Sequence, residues 1–347
     1  MLDRRTLLKS SAAIGAVALA GPALAASHGP LKVVATFSIL GDMVQRVGGK
    51  HISLTTLVGP NGDAHVYQPV PADAKAVSQA QLLVVNGLAF EGWLDRLVEA
   101  SGFKGARVVA TDGIKPLPTE EHHDDDDDHK KEAEHKDHDD HKDHDDHKDK
   151  HKDHDEHKEE AGHDDHHGHH HGEFDPHAWQ SLAHAATYVD NITAALSKAD
   201  PANASSYYQN RAAYVAEIQA MDAKLRKLVD ALPKDSRTVV TPHDAFGYLA
   251  VSYGLKFVAP QGISTESEVS AADVAKLIRQ IREEKIKAVF IENIADDRLI
   301  KQISNETGAT IGGALYSDAL SEPSGPAGTY LDMMNHNVTT LTKALSS

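Results

Sequence analysis

The sequence contains no cysteine in its 347 residues. Disulfide frameworks, cysteine-ligated zinc sites, iron–sulfur clusters and cysteine nucleophiles are therefore excluded. Basic residues are also in deficit, because 35 lysines and arginines face 52 acidic residues and the formal net charge is −17 with histidine counted neutral. Since phosphate binding needs a basic face, this charge argues against nucleic acid as a partner. After the N-terminal segment, no apolar run approaches the ~20 residues of a membrane span.

Residues 1–25 have the layout of an export signal. A charged start with Arg4-Arg5 precedes an apolar run that ends in Ala23-Leu24-Ala25. We therefore expect a signal peptide that is removed, which places the mature protein in the periplasm. The arginine pair predicts the twin-arginine route, and an ordinary Sec signal that contains two arginines is the alternative. No cysteine follows the cleavage site, so a lipoprotein anchor is not expected.

One tract carries most of the acidity. Residues 120–172 hold 17 of the 24 histidines, 23 acidic residues and 8 lysines, which gives this tract a net charge of −15. The rest of the mature chain carries only −4 and has an ordinary globular composition. Because the tract has almost no apolar residues, it cannot offset the entropy lost on ordering, and we expect it to be disordered without a ligand.

The histidines of this tract recur at a spacing that suits metal chelation. From His135 to His157 they follow one another every third or fourth residue, so that pairs would share one face of a helical turn. The tract is predicted to be an auxiliary, low-affinity zinc collector, and a solvated acidic tether with incidental histidines is the alternative. The candidate auxiliary ligands are His135, His138, His141, His144, His147, His151, His154, His157, His163, His166, His167, His169, His170 and His171.

Strand and helix patterns alternate on both sides of the tract. This alternation predicts an α/β fold of two lobes, each with a central, mostly parallel sheet flanked by helices. Residues 202–232 contain no glycine or proline, and their apolar positions recur three and four residues apart, which predicts one long, rigid helix. We expect an N-terminal lobe over residues 26–200, a linking helix over residues 201–232 and a C-terminal lobe over residues 233–347.

Four polar residues each follow a predicted strand and precede a helix. They are His65 and His177 in the first lobe and His243 and Asp318 in the second. In open α/β sheets, the carboxyl edge of the strands is where ligands bind. Three imidazoles and one carboxylate can close a tetrahedral zinc site, so we predict a metal ion between the lobes. His51, His184 and His336 lie inside predicted elements and are expected to be packing residues.

Seven short motifs are spread over the mature chain outside the tract. They are residues 35–39 (Ala-Thr-Phe-Ser-Ile), 61–67 (Asn-Gly-Asp-Ala-His-Val-Tyr), 86–93 (Asn-Gly-Leu-Ala-Phe-Glu-Gly-Trp), 175–179 (Asp-Pro-His-Ala-Trp), 241–246 (Thr-Pro-His-Asp-Ala-Phe), 289–292 (Val-Phe-Ile-Glu) and 316–320 (Tyr-Ser-Asp-Ala-Leu). As a set, they resemble the zinc- and manganese-binding receptors of bacterial ABC metal importers. The resemblance implies pseudo-symmetric lobes, limited hinge motion and a buried metal between them. It also implies an inner-membrane permease and a cytoplasmic ATPase as partners.

Within such a family, the residue at the position of His243 distinguishes zinc-binding from manganese-binding members. Manganese-type members carry a carboxylate where this sequence has His243, and a third imidazole favours zinc. Histidine-rich inserts before the second ligand also mark the zinc-type members. The resemblance leaves two roles for Asp318, because the fourth ligand of some zinc receptors is water or another carboxylate and Asp318 would then support the ligands by hydrogen bonding. Asp63 and Glu268 are weaker carboxylate candidates.

We therefore expect a periplasmic receptor that captures Zn2+ as its transported ligand and delivers it to an ABC importer. We also expect a monomer, and a periplasmic zinc chaperone is a further candidate partner. An enzyme is not expected, because the chain has no His-Glu-x-x-His helix and no general base beside an open coordination position. Two alternatives stay open: a receptor of the same fold for manganese or another divalent metal, and a zinc-buffering or adhesin-type protein without a transporter.

Overall fold

The computed structural model describes residues 29–119, 174–266 and 268–346. The predicted signal segment and the whole histidine-rich tract, with every auxiliary histidine, lie outside the described residues. None of the helices in the described part of the chain combines the length and the apolarity that a membrane crossing requires.

The first lobe is built on a four-stranded parallel sheet with the strand order β2-β1-β3-β4. Its central strand β3 is a continuous apolar run of four buried residues, because helices cover both faces of the sheet. The elements are β1 (Leu31–Phe37), α1 (Ser38–Gly48), β2 (Ile52–Val58), α2 (Pro71–Gln79), β3 (Leu82–Val85), α3 (Leu94–Ser101), β4 (Ala106–Val109) and α4 (Leu182–Ala199).

The second lobe repeats this arrangement, with a parallel sheet in the order β6-β5-β7-β8. Its elements are β5 (Thr238–Val240), α6 (Gly247–Tyr253), β6 (Lys256–Val258), α7 (Ala271–Glu284), β7 (Ala288–Glu292), α8 (Arg298–Thr307), β8 (Thr310–Leu315) and α9 (Tyr330–Leu345). The two sheets thus confirm the predicted fold class of two parallel-sheet α/β lobes.

Helix α5 (Ala204–Asp230) connects the two sheets and is 27 residues long, or roughly 40 Å. It packs against α1 and α4 on one side and against α6 and α9 on the other. Tyr214, Ile218 and Leu225 form its buried stripe at the predicted spacing. One buried apolar cluster runs continuously from the first sheet through α5 to α9. The lobes therefore share a core, which restricts how far they can separate.

Two predicted helices start later than their sequence pattern indicates. Residues 90–100 are helical only from Leu94, because Gly87, Leu88 and Ala89 all adopt left-handed backbone conformations. Residues 178–198 divide into a short 3-10 turn and α4, with extended backbone at Ser181 between them. Both interruptions lie in loops that carry side chains toward the cleft between the lobes.

Candidate metal centre

The structure brings together the four residues that the sequence singles out. One ligand atom from each of His65, His177, His243 and Asp318 lies within 4.8 Å of the others. The Asp318 Oδ2 atom is 3.2 Å from the Nε2 atoms of both His65 and His243, and the two Nε2 atoms of His65 and His177 are 3.3 Å apart. This geometry supports the prediction that the four residues form one site.

The position of each residue follows from the topology. His65 lies in the loop after β2, and His177 lies in the long connection between β4 and α4. His243 follows β5, and Asp318 follows β8. Because all these strands are parallel within their sheets, their carboxyl ends meet at the cleft, where two residues from each lobe face one another.

The centre is almost fully withdrawn from solvent. His177, His243 and Asp318 have no exposed surface, and His65 is 6% exposed. Both carboxylate oxygens of Asp318 and Nε2 of His243 are buried without a hydrogen-bond partner in the structure. Buried polar atoms without partners are costly, and a cation at their focus would satisfy all three. The donor set therefore suits a divalent metal ion.

A carboxylate lies behind two of the three imidazoles. Asp175 Oδ1 is 2.7 Å from Nδ1 of His177 and also accepts a hydrogen bond from the backbone N–H of that residue. Glu292 lies beside His243, with 2.6 Å between its Oε2 atom and Nδ1 and with the backbone N–H of His243 donating to Oε1. A carboxylate at Nδ1 favours the tautomer in which Nε2 is free to bind a metal.

His65 is supported through its main chain. Its backbone N–H donates to Asp63 Oδ1, and the other Asp63 oxygen accepts a hydrogen bond from the Thr265 hydroxyl of the second lobe. The Phe90 ring packs edge-on against the imidazole with 4.7 Å between centroids. Both carboxylate oxygens of Asp63 thus accept hydrogen bonds, one from the His65 backbone and one from Thr265, and Glu268 is exposed. The structure therefore places neither of these weaker carboxylate candidates in the centre.

The charges of the centre raise the pKa values of two of its imidazoles, those of His177 and His243. Burial lowers the pKa of His177, but the charge of Asp318 and the hydrogen bond to Asp175 outweigh it and raise this pKa to about 9. The pKa of His243 is raised well above its usual value, because the charges of Glu292 and Asp318 outweigh burial. Burial alone would raise the pKa of Asp318, but the two imidazolium charges lower it well below its usual value. A metal ion must therefore displace protons from the centre.

The remaining described histidines have packing partners of their own. The His51 ring lies edge-on against Tyr207, and the His184 ring lies edge-on against Tyr248. His336 Nε2 is 3.0 Å from the carbonyl oxygen of Ala314. They lie outside the group of four, as expected from their positions inside helices or at a helix end.

Asp175 and Glu292 have no role predicted from the sequence, although they lie in the motifs at residues 175–179 and 289–292. Two signals could have found them. Asp175 precedes His177 by two residues, a spacing at which a carboxylate can reach back to the imidazole. Glu292 is a charged residue at the end of an otherwise apolar strand, β7, and it is buried at 3% exposure.

The chain is similar to known metal-binding proteins over nearly its whole length. Residues 33–344 match the family model described as the periplasmic zinc-uptake complex component A. Among the curated relatives, the iron-binding protein YfeA of Yersinia pestis is 33% identical over 97% of this chain and 94% of its own. The manganese-binding lipoprotein MntA of Bacillus subtilis is 32% identical over 91% of this chain and 90% of its own.

Solved structures of metal-binding proteins are also similar to this chain. The periplasmic zinc-binding protein TroA of Treponema pallidum superimposes with a TM-score of 0.74 at 27% identity, covering 92% of this chain and 99% of the other. A Mn-bound periplasmic metal-binding protein of Candidatus Liberibacter asiaticus gives a TM-score of 0.69 at 30% identity, covering 90% and 98%. Members of this family are substrate-binding receptors that work with a membrane permease and an ATPase, and they are not enzymes. The chain therefore belongs to the periplasmic zinc-uptake component family, the metal-binding receptors of bacterial ABC importers.

Proposed function

We propose that this protein is a zinc receptor that binds one Zn2+ directly through His65, His177, His243 and Asp318. The observation that carries the proposal is the donor set, with three imidazole nitrogens and one carboxylate converging from two lobes in a buried centre. Four protein donors of this kind match the tetrahedral preference of zinc. The two unpartnered oxygens of Asp318 favour direct ligation over a supporting role.

The names of the relatives do not identify the metal that this chain binds, because they describe binders of iron, manganese and zinc. Ligand chemistry favours zinc in this chain. Imidazole nitrogen suits zinc, whereas manganese prefers carboxylate, carbonyl and water oxygens. A receptor for manganese or another divalent ion of the same fold is the alternative.

We further propose that the histidine-rich tract, residues 120–172, collects zinc weakly and passes it to the centre. The described residues on either side support this role. The backbone N–H of Asp175 donates to the carbonyl of Leu117 at 2.8 Å, and Pro118 forms an isolated bridge with Phe174. The described segments on either side of the tract are thus paired with each other, and His177 follows two residues after Asp175. A metal ion released beside these paired segments would have only a short distance to travel.

Competition between zinc and manganese for the purified mature protein tests the metal assignment. We expect zinc to bind more tightly, and a His243→Ala variant to lose most of the affinity. A His51→Ala variant is the matched control, because His51 packs on Tyr207 away from the centre. Manganese binding tighter than zinc would overturn the assignment.

Several finer predictions belong to the same proposal. They are the lobe limits at residues 26–200 and 233–347 with a linking helix at residues 201–232, a monomeric state, export by the twin-arginine route and delivery from a periplasmic zinc chaperone. Loss of growth under chelation in a deletion strain, restored by added zinc, would distinguish an importer component from a zinc-buffering or adhesin-type protein.

A further inference from the structure

A tyrosine of the second lobe bridges the two chain segments that flank the histidine-rich tract. Tyr248, on α6, accepts a hydrogen bond from the backbone N–H of Leu117 at 3.0 Å. Its hydroxyl donates to the carbonyl oxygen of Asp175 at 2.9 Å. Leu117 and Asp175 are also paired with each other through their backbones. The three groups form a closed set of hydrogen bonds that crosses from one lobe to the other.

Asp175 in turn controls the orientation of His177. One carboxylate oxygen, Oδ1, faces both the backbone N–H and Nδ1 of His177. The other oxygen, Oδ2, lies against the start of α6, where a Cβ atom on Gly247 would stand only 2.7 Å from it. Any side chain at Gly247 would therefore push the Asp175 carboxylate away. The main chain of Asp175 is thus bonded to α6, and its side chain lies against the start of that helix.

We propose that Gly247 and Tyr248 are positioning residues for the metal centre, acting on His177 through Asp175. This inference rests on the proposed metal-binding function of His177. The second lobe then contributes more than its own ligands, His243 and Asp318, because it also fixes the orientation of a first-lobe ligand. Separation of the lobes would break the hydrogen bond between Tyr248 and Asp175, and the affinity of His177 for the metal would fall at the same time.

The tryptophans of the chain provide a readout that is specific for the centre. The protein has two, and neither lies in the histidine-rich tract. The Trp179 ring packs against the His177 ring with 5.2 Å between centroids, and the Trp93 indole N–H donates to the carbonyl of Ala64, the neighbour of His65. Intrinsic tryptophan fluorescence therefore reports metal at the cleft.

The test compares Tyr248→Phe with Tyr253→Phe in the full mature chain. Both tyrosines lie on α6 and both donate a hydrogen bond, but that of Tyr253 goes to Asp222 on α5, away from the centre. Zinc-loaded protein is mixed with excess chelator, and tryptophan fluorescence follows zinc release. Tyr248→Phe should release zinc about threefold to tenfold faster than wild type, less than the 10–100-fold typical of a direct partner of a ligand. Tyr253→Phe should stay within about twofold.

A second pair of variants keeps the test independent of the lost hydroxyl. Gly247→Ala should also accelerate release, whereas Gly262→Ala should not, because a Cβ atom at Gly262 meets nothing within 4 Å. Thermal unfolding of the metal-free variants checks that each is folded. The absorption bands of protein carrying one equivalent of Co2+ should lose intensity in Tyr248→Phe and Gly247→Ala, since these bands report coordination geometry rather than stability.

Two results would overturn the inference. One is wild-type release from both Tyr248→Phe and Gly247→Ala, and the other is equal acceleration in Tyr248→Phe and Tyr253→Phe, which would indicate only a general weakening of α6. A wild-type protein that binds no zinc in calorimetry would instead refute the proposed function. The two failures are therefore distinguishable.

Discussion

Substitution of Glu292 tests whether the carboxylate beside His243 strengthens zinc binding at the centre. Its carboxylate contacts His243 twice, because Oε1 accepts the backbone N–H and Oε2 lies 2.6 Å from Nδ1, and it is buried at 3% exposure. In Glu292→Gln the side chain keeps its size but has one acceptor oxygen and an NH2 group. The two donors of His243 then compete for one oxygen. Either a buried N–H is left unpaired, or the imidazole changes tautomer and presents a proton to the metal.

The expected magnitude follows from the unpaired donor. A buried N–H without an acceptor costs about 1–3 kcal/mol, which is about fivefold to 150-fold in an equilibrium constant. Removal of a carboxylate that orients a metal-bound histidine weakens metal binding by about 10–100-fold in other sites. We therefore expect Glu292→Gln to weaken zinc binding by about 10–100-fold.

The assay is chelator competition followed by tryptophan fluorescence at constant pH. Glu284→Gln is the matched control, because it makes the same change of charge in the same lobe at an exposed carboxylate paired with Lys256. That control should bind zinc within about twofold of wild type. If Glu292→Gln also bound within twofold, the carboxylate behind His243 would have no tuning role and our account of the centre would be wrong.

Three further predictions test the metal, the protons and the tract. His243→Glu should shift the preference from zinc toward manganese by replacing nitrogen with oxygen, and an unchanged zinc-to-manganese affinity ratio would contradict this. Because burial is outweighed by the charge of Asp318 and the hydrogen bond to Asp175, the pKa of His177 is raised to about 9, and the metal-free imidazole is protonated below that pH. Zinc affinity should therefore rise between pH 6 and 8, by about tenfold per pH unit for each proton displaced, and calorimetry in buffers of different ionisation enthalpy should detect proton release. A zinc affinity that does not change between pH 6 and 8 would contradict this prediction. Replacing residues 120–172 with a short linker should leave one tight zinc site while the total zinc bound falls, and loss of the tight site would refute the division between centre and tract.

The convergence of the four candidate ligands could be predicted from the sequence because it follows from topology. His65, His243 and Asp318 each follow a strand, and parallel strands bring the residues after them to one edge. The long helix was also predictable, since its buried stripe repeats over 27 residues without a breaker. Both signals are local patterns that need no knowledge of tertiary contacts.

The residues that tune the centre were not predictable in the same way. Glu292, Tyr248 and Thr265 act through contacts between residues that lie far apart in the chain, and Tyr248 looks like an ordinary helix residue. The late start of α3 has a similar origin. The Glu91 carboxylate accepts the backbone N–H groups of Asn86 and Gly87 at the left-handed turn, and it also accepts the hydroxyl of Thr36, which lies 55 residues earlier in the chain.

These cross-lobe contacts bear on how a tightly bound metal can leave. Both first-lobe ligand loops are held by second-lobe atoms: Asn61 N–H donates to the carbonyl of Leu320 at 2.8 Å, Thr265 binds Asp63 at 2.7 Å, and Tyr248 binds Asp175 at 2.9 Å. Hydrogen bonds of this length weaken steeply once stretched beyond about 3.5 Å. The shared core along α5 opposes a wide opening, but a wide opening is unnecessary. A relative shift of about 1 Å would loosen His65 and His177 together, so a permease that separates the lobes slightly would lower the affinity of the whole site.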